Sequence, residues 1–286
     1  MDTLHPKTVL ITGGTSGIGL AVAKLCLDNH YHVLIVGSSE QRAASAKTEL
    51  KMDYPDSRVK FFYADLSIQK NIHILSKEII EYLDEKCINN IDVLINNAGG
   101  VRDFFQLTED LIEYQFALNH LSGVLLSYLL LSRLSNGIII FTGSYSHIKM
   151  KIHWKDLMYS KNYFIFTAYR QSKLANLMTA MAFNSILKPL NIHSYVVDPG
   201  LVNTQIANKH TTWLVRFVWC LKRKKGVNPL IPAKTYLFLI QNRPLDGIYY
   251  KDCIPVPYNP IADQTSEVMR LLRISEELCH IKFDNI

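Results

Sequence analysis

Lys7-Thr-Val-Leu-Ile11 runs directly into Thr12-Gly-Gly-Thr-Ser-Gly-Ile-Gly19, and a helical pattern follows from Leu20 to Leu27. The first five residues are mostly β-branched and apolar, which predicts a buried strand. A strand, a glycine turn and a helix in this order are typical of a dinucleotide-binding site. Glycines let the backbone approach a pyrophosphate, and the helix N-terminus offers free N–H groups and partial positive charge. The spacing is G-x-x-x-G-x-G rather than the commoner G-x-G-x-x-G, and a plain glycine-rich turn is the alternative interpretation.

Composition excludes several classes of protein. The chain has 286 residues, 48% hydrophobic and 20% charged, which is enough to bury one large core in a single α/β domain. The net charge of +6 is spread along the chain apart from one basic run, Lys222-Arg-Lys-Lys225. There is neither an arginine-rich arm nor a zinc-ligand spacing, so we expect no nucleic-acid partner and no metal site.

The sequence also predicts a cellular address. The five cysteines are odd in number and widely scattered, and they include no C-x-x-C, which indicates reduced thiols. The first strand begins near Thr8, which leaves no room for a signal peptide, so we expect the protein not to be secreted. No apolar run reaches the length of a membrane span.

The second predicted strand, His32–Val36, bears on the choice of dinucleotide because Gly37-Ser-Ser-Glu-Gln-Arg42 follows it. A site that prefers NAD usually ends this strand with an acid, and one that prefers NADP has a base nearby. Here no aspartate closes the strand, which leaves room for a 2′-phosphate that Ser38, Ser39 and Arg42 could bind. The sequence therefore favours NADP over NAD, although Arg42 could instead lie on the solvated face of the next helix.

Three later strands end in residues that suit a ligand site. Asp65 follows the strand Val59–Tyr63 and could accept a hydrogen bond from an adenine amino group, cap the next helix, or both. Asp92-Val-Leu-Ile-Asn-Asn-Ala-Gly-Gly100 leaves its strand through small residues that permit close approach to a ribose. Ser144 follows the strand Gly137–Thr142, and a hydroxyl at this point faces the ligand crevice of an open sheet. We predict a catalytic serine here rather than a turn residue.

Tyr169-Arg-Gln-Ser-Lys173 carries the chemistry. Within a helix, the four-residue spacing puts the phenol and the ammonium on one face. A Tyr titrates near 10, so proton exchange near pH 7 needs a pKa lowered by about 3, or roughly 4 kcal/mol. A cation about 4 Å away, at an effective dielectric of about 20, supplies an interaction of roughly that size. We therefore expect Lys173 to lower the pKa of Tyr169; the alternative is an ordinary surface pair.

Together with Asn96-Asn-Ala-Gly99 and Pro199-Gly200, these motifs resemble the short-chain dehydrogenase/reductase family over residues 6–255. That resemblance implies a single Rossmann domain, an α/β fold with a seven-stranded parallel, doubly wound sheet and helices on both faces. Tyr-x-x-Ser-Lys-Leu-Ala-Asn176 and Ile274-Ser-Glu-Glu277 resemble the retinol dehydrogenase branch. Val196-Val-Asp-Pro-Gly-Leu-Val-Asn-Thr204 most resembles the branch's polyprenol dehydrogenase-like "family member X" enzymes.

The resemblance also implies residue roles. Tyr169 would exchange a proton with the substrate oxygen, and Lys173 would lower its pKa and hold the nicotinamide ribose. Ser144 would bind the substrate oxygen, and Asn119, through a helix irregularity and a water, would relay protons from Lys173. The expected cofactor-binding residues are Thr12, Gly13, Thr15, Ser16, Gly17, Ile18, Gly19, Ser38, Ser39, Arg42, Asp65, Leu66, Asn97, Ala98, Gly99, Tyr169, Lys173, Pro199, Gly200, Val202 and Thr204.

The expected activity is NAD(P)-dependent hydride transfer between nicotinamide and an alcohol or carbonyl of a hydrophobic, retinoid- or isoprenoid-like molecule. Residues 205–230 are expected to cover the substrate or contact a membrane, through Trp213–Lys225, and residues 256–286 to form a helical extension. A homodimer and a location in the cytosol or on the cytosolic face of the endoplasmic reticulum or a lipid droplet fit this branch. The rivals are a hydroxysteroid or xenobiotic carbonyl reductase, a dinucleotide sensor or scaffold without turnover, and a peripheral membrane protein.

Overall fold

A computed structural model describes residues 6–55, 58–202 and 226–283. Its eight strands form one sheet in the order β3-β2-β1-β4-β5-β6-β7-β8. Neighbouring strands run parallel except β7 and β8, which are antiparallel. The strands are β1 Thr8–Thr12, β2 His32–Gly37, β3 Val59–Tyr63, β4 Val93–Asn96, β5 Ile138–Thr142, β6 His193–Val197, β7 Tyr249–Lys251 and β8 Ile254–Pro255.

Helices cover both faces of this sheet. Their bounds are α1 Gly17–Asp28, α2 Glu40–Asp53, α3 Gln69–Glu85, α4 Tyr114–Phe116, α5 Ser122–Leu129, α6 Ile165–Ile186, α7 Leu230–Gln241 and α8 Thr265–Cys279.

The central strands are buried on both sides, which is why they are continuous apolar runs rather than alternating ones. Successive side chains of β1 enter two different apolar layers. Leu10 packs in the layer that α3, α5, α6 and α8 cover, whereas Val9 and Ile11 pack in the layer under α1 and α7. The predicted doubly wound α/β fold is confirmed.

The predicted number of strands, seven, was one too low. The additional strand, β8, contains only two residues, and it returns antiparallel to β7 after a turn in which Asp252 and Cys253 have positive φ. Two residues are too short for a periodic pattern to reveal. The sequence predicts a last short strand from Gly247 to Tyr250, whereas the last parallel strand starts two residues later and spans Tyr249–Lys251.

The sequence pattern from Leu111 to Arg133 predicts one long helix with Asn119 inside it, and this prediction is too long at both ends. Leu111 has φ +57°, a left-handed value that a helix does not accept. The buried carboxylate of Glu113 accepts hydrogen bonds from the first amides of α4 and fixes its start. A π-helical turn, Ala117–Leu121, joins α4 to α5 and contains Asn119. Single π turns are frequent at functional sites.

The sheet order reverses between β1 and β4, so the loops that leave their carboxyl ends diverge and open a crevice there. Predicted site residues follow the carboxyl ends of β1, β2, β3, β4, β5 and β6 and so gather at one edge of the sheet. Among the described residues, no helix is long and apolar enough to cross a bilayer. The expected covering segment, including Trp213–Lys225, lies almost entirely outside the described residues.

Candidate active site

The glycine turn between β1 and α1 accepts no side chain at its critical positions. Gly13 and Gly17 have φ of +65° and +56°, in the left-handed region that favours glycine. A Cβ on Gly19 would lie 2.3 Å from the carbonyl oxygen of Gly13. Ser16 precedes α1, and its side chain makes no capping hydrogen bond to the first helical amides. The turn therefore presents backbone N–H groups at a helix N-terminus, an arrangement that suits a phosphate.

Side chains of β1 and the β4 loop hold this turn in place. The hydroxyl of Thr12 accepts hydrogen bonds from the amides of Asn97 and Ala98, both at 3.0 Å, and donates to the carbonyl of Ile95. The Asn97 side-chain amide donates to the carbonyls of Thr12 and Gly13 at 3.0 and 3.2 Å. Three predicted binding residues thus fix the geometry of the turn. Thr15 and Ile18 belong to the same turn and the start of α1.

The residues expected to bind a 2′-phosphate meet at the end of β2. Arg42 Nη1 lies 3.4 Å from Ser38 Oγ, and both side chains are exposed. The Ser39 hydroxyl accepts from the Arg42 amide and caps α2, so the structure gives it a helix-capping position as well. The residues that directly follow the end of β2 at Gly37 are Ser38 and Ser39 and not an acidic residue. Two hydroxyls and a guanidinium therefore share one exposed corner.

Asp65 lies at the end of β3 but does not cap α3. Its Oδ1 accepts from the amide and the hydroxyl of Ser67, which closes a local turn. The first amide of α3, that of Gln69, donates instead to Asp110 at 2.9 Å. Leu66 beside it is buried in the core. The capping interpretation of Asp65 was wrong, whereas its contact with an adenine stays a prediction.

Asn119 clamps the glycine pair that follows β4. Its Oδ1 accepts from the amide of Gly100 at 2.7 Å, and its Nδ2 donates to the Gly100 carbonyl at 3.0 Å. The same Nδ2 lies 3.1 Å from the hydroxyl of Ser172 on α6. A Cβ on Gly99 would lie 3.2 Å from Asn119 Oδ1 and 3.8 Å from Lys173 Nζ. The π turn and the helix that carries the lysine are therefore fixed to the same loop.

Ser144, Tyr169 and Lys173 come together above the end of β5. The ammonium of Lys173 lies 5.7 Å from the centre of the Tyr169 ring and donates to the carbonyl of Thr142 at 2.9 Å. Tyr169 and Ser144 are partly exposed, whereas Lys173 is buried. A hydrogen bond with the Ser144 side chain favours the phenolate of Tyr169. An accessible phenol, an accessible hydroxyl and a buried cation thus face one crevice.

Desolvation by the surrounding protein controls the protonation of this pair, including the partly exposed Tyr169. It raises the pKa of Tyr169 to about 12, with a further increase from the charge of Asp198, and it lowers the pKa of Lys173 to about 8. The net lowering of the Tyr169 pKa that we expected is therefore not found, whereas the contribution of Lys173 to that pKa stays a prediction. The desolvation that the helix spacing could not reveal is the larger effect.

The loop after β6 carries the last predicted contacts. Gly200 has φ +66°, and its amide donates to Oδ1 of the buried Asp198 at 2.9 Å. Pro199 lies between them, and Val202 pairs with Val227 in an isolated parallel bridge. Thr204 lies outside the described residues.

Comparison with known proteins identifies the family. The sequence profile of the short chain dehydrogenases matches residues 7–214. Retinol dehydrogenase 12 of Mus musculus is 30% identical over 97% of this chain and 88% of its own length. The chain belongs to the short-chain dehydrogenase family. The predicted enzyme class and the resemblance to the retinol dehydrogenase branch are confirmed.

Two further relatives widen this comparison. Polyprenol dehydrogenase of Homo sapiens is 32% identical over 73% of this chain and 64% of its own length. The crystal structure of a short-chain dehydrogenase from Burkholderia cenocepacia, in complex with NADP, has a TM-score of 0.67. Its sequence is 21% identical to this one, and the match covers 87% of this chain and 97% of the Burkholderia chain. This second likeness concerns the fold.

Two residues near the site of this short-chain dehydrogenase, Asp198 and His147, were not predicted from the sequence to have a role. Asp198 lies buried between β6 and the glycine of its loop, where its charge acts on Tyr169. Its position directly before Pro199-Gly200, at a strand end, was the available signal. His147 Nδ1 lies 2.6 Å from the Ser144 carbonyl, and its Nε2 lies 3.3 Å from the amide of Asn259, so it fixes the backbone of the serine. Only its closeness to Ser144 in sequence could have suggested this.

Proposed function

We propose that this short-chain dehydrogenase transfers a hydride between a nicotinamide dinucleotide, with NADP preferred over NAD, and an alcohol or carbonyl carbon of a hydrophobic substrate. The observation that carries the proposal is the meeting of Ser144, Tyr169 and Lys173 at the sheet edge that also bears the glycine turn. The retinol and polyprenol dehydrogenases among its relatives support an isoprenoid or retinoid alcohol as the substrate class.

The residues present fit such a dinucleotide. Gly13 and Gly19 allow the turn to pack closely on itself and on the loop after β4, and the N-terminus of α1 offers amides to the pyrophosphate. Ser38 and Arg42 would bind the 2′-phosphate, and Lys173 would bind the nicotinamide ribose. When bound, the nicotinamide would supply or accept the hydride.

The protein's own residues would manage the proton and the substrate oxygen. The hydroxyl of Ser144 would hydrogen-bond that oxygen and stabilise charge as it develops there. Tyr169, protonated at neutral pH because its pKa is raised, would donate its proton to the oxygen during carbonyl reduction and recover it during alcohol oxidation. Asn119 would hold the loop beside Lys173 and connect it to solvent through water.

Exposed apolar side chains at the same edge support a hydrophobic substrate. Tyr145, Phe164 and Leu201 are 69%, 55% and 41% exposed. They follow Ser144, precede the helix of Tyr169 and follow Gly200, respectively, so all three lie near the residues proposed to bind substrate. A substrate with a long apolar chain would cover surface that otherwise faces water.

The substitution Tyr169→Phe tests the function directly. It removes the phenolic proton and keeps the ring, so we expect turnover to fall about a hundredfold or more, within the range for a lost proton donor. Dinucleotide affinity should stay near that of the wild type. The assay follows NAD(P)H absorbance with retinal, a long-chain isoprenoid aldehyde and a ketosteroid. Tyr31→Phe, at the amino-end edge of the sheet, is the matched control and should keep full turnover.

The outcomes separate the candidates. Substantial turnover by the Tyr169→Phe variant would remove Tyr169 from its role. A wild-type protein that binds dinucleotide but turns over none of the three carbonyl compounds would instead favour a sensor or scaffold. Preference for the ketosteroid would favour a hydroxysteroid reductase over the isoprenoid class.

Assembly and location stay predictions with their own tests. Homodimerisation through α5 and α6 would have to accommodate Phe283, which packs against Tyr128 and Phe183 of those helices. Size-exclusion chromatography with light scattering would measure it. Liposome co-sedimentation of a variant without the charges of Lys222–Lys225 would test membrane contact. Cell fractionation would test a location in the cytosol, on the cytosolic face of the endoplasmic reticulum or on lipid droplets.

A further inference from the structure

A chain of buried polar side chains lies behind Lys173. The carbonyl oxygen of Thr142 accepts from Lys173 Nζ at 2.9 Å and from the side-chain amide of Asn176 at 3.4 Å. Nδ1 of His120, the residue after Asn119 in the π turn, lies 3.3 Å from Asn176 Oδ1. Its Nε2 lies 3.0 Å from the hydroxyl of Ser275 on α8. His120, Asn176 and Ser275 are each at most 1% exposed.

These contacts select one tautomer of His120. The nitrogen of the Asn176 amide must face the Thr142 carbonyl, so its oxygen faces His120 and requires a donor. Nδ1 therefore carries the hydrogen. Burial lowers the pKa of His120 to about 4, so at neutral pH the ring is neutral and Nε2 is an acceptor. It lies 3.0 Å from the Ser275 hydroxyl, whose one proton also has the Leu271 carbonyl as an acceptor at 2.9 Å.

We propose that His120 is a positioning residue for Lys173: it orients the Asn176 amide, which in turn fixes the Thr142 carbonyl that anchors the ammonium. The inference rests on the proposed function, since it concerns the lysine of that site. A lysine side chain has a flexible stem and no preferred plane, so a fixed acceptor decides where its charge lies. Asn176 is three residues after Lys173 on α6 and shares its helix face.

The same network makes α8 part of the support of the site. Ser275 holds the far nitrogen of His120, and Phe116 packs against the imidazole ring at 4.9 Å between centroids. The orientation of the imidazole is thus fixed from the C-terminal helix, more than 150 residues away in the sequence. Supporting shells of this kind keep reacting groups within the narrow range that catalysis needs.

Two substitutions of His120 separate a positioning role from plain packing. In His120→Asn the amide nitrogen is as many bonds from Cα as Nδ1, so the donor to Asn176 is kept. In His120→Gln the amide oxygen is as many bonds from Cα as the acceptor Nε2, so the contact with Ser275 is kept and the donor to Asn176 is lost. We expect kcat to fall about tenfold or more in the Gln variant, as for a misplaced catalytic group, and to stay within about threefold of wild type in the Asn variant.

Binding gives a second measurement that does not need turnover. Because Lys173 would contact the nicotinamide ribose, His120→Gln should weaken binding of NADPH but not of 2′,5′-ADP, which lacks that ribose. His32→Gln is the control: His32 is also buried, its Nε2 lies 3.1 Å from the Tyr82 hydroxyl, and it lies at the amino ends of the strands. That variant should keep kcat and both affinities.

Equal losses of kcat in the Asn and Gln variants, in proportion to their losses in Tm, would overturn the positioning role. Should His120→Gln fail to fold, nitrogen NMR of the wild-type imidazole decides: a hydrogen on Nδ1 is expected, and a hydrogen on Nε2 alone contradicts the proposal. A wild type that binds NADPH without turnover would defeat the proposed function alone. The contrast between NADPH and 2′,5′-ADP would still decide the role of His120.

Discussion

Lys173→Met is expected to make the ligand-free protein more stable while it removes turnover. Methionine keeps the length and most of the apolar volume of the lysine side chain but carries no charge. Lys173 is 4% exposed, and its ammonium has the carbonyl of Thr142 as its hydrogen-bond acceptor. A buried charge that lacks a close counter-ion is unfavourable, and an apolar side chain of similar size avoids this penalty.

The magnitude follows from the pKa of Lys173. Burial lowers it from 10.5 to about 8, and at about 1.4 kcal/mol per pKa unit this is an unfavourable contribution of roughly 3 kcal/mol. Loss of the hydrogen bond to Thr142 offsets about 1 kcal/mol. We therefore expect a gain of about 2 kcal/mol in the free energy of unfolding at pH 7, or roughly 4–8 °C in Tm.

The stability difference between Lys173→Met and wild type should decrease as the pH rises. Below pH 8 both folded and unfolded states carry the charged lysine, and the folded state bears the full penalty. Between about 8 and 10.5 the folded state releases its proton first, so wild-type stability rises with pH and the advantage of Lys173→Met shrinks. Urea unfolding at pH 7, 8.5 and 10 measures this.

Lys234→Met, a substitution of an exposed lysine on α7, is the control and should change stability by less than about 0.5 kcal/mol. A Lys173→Met protein that is less stable than wild type at pH 7 would refute the burial argument. So would an advantage that stays constant up to pH 10.

Three further predictions concern other parts of the site. Ser38→Asp should shift the ratio of kcat/KM for NADP and NAD toward NAD by about tenfold or more, because a carboxylate repels a 2′-phosphate and accepts a hydrogen bond from a free hydroxyl. Unchanged selectivity would show that Ser38 does not lie beside the 2′ position of the dinucleotide. Asp198→Asn removes a charge that raises the pKa of Tyr169, so the pH profile of alcohol oxidation should move to lower pH, and a move to higher pH would contradict this electrostatic role. Thr12→Val leaves two loop amides without their acceptor and should lower stability by about 2–3 kcal/mol. Thr12→Ser keeps the hydroxyl and should retain most of the wild-type stability. Equal losses of stability in the Val and Ser variants would exclude the hydroxyl as the cause.

The arrangement of the sheet could be predicted because each parallel strand is a short, continuous apolar run. Ile138–Thr142 and His193–Val197, for instance, have buried side chains along almost their whole length. β8 could not be predicted, since a two-residue strand has no period and its pairing depends on the turn at Asp252. The helix starts after Leu111, at Tyr114, because Leu111 has a left-handed backbone conformation that the sequence pattern does not show.

The positions of the candidate site residues were easier to predict than their electrostatics. The four-residue spacing correctly placed Lys173 beside the Tyr169 ring, and the strand ends correctly placed Ser144 near both. The spacing of Tyr169 and Lys173 in the sequence does not show how many protein atoms surround the two side chains. That surrounding protein determines their pKa values. The contact between His120 and Ser275 could not be predicted from the sequence either, because α8 packs on α6 only in the folded chain.

The reversed order of the two pKa values has a consequence for catalysis. In water the phenol and the ammonium titrate near 10 and 10.5, whereas desolvation in the protein raises the pKa of Tyr169 to about 12 and lowers that of Lys173 to about 8. The ammonium is thus the stronger acid of the pair, and the phenol keeps its proton throughout the neutral range. Under the proposed function, a protonated phenol would donate its proton in carbonyl reduction. Alcohol oxidation needs the phenolate, and therefore additional positive charge beside Tyr169; a cationic, oxidised nicotinamide is the group that would bring it.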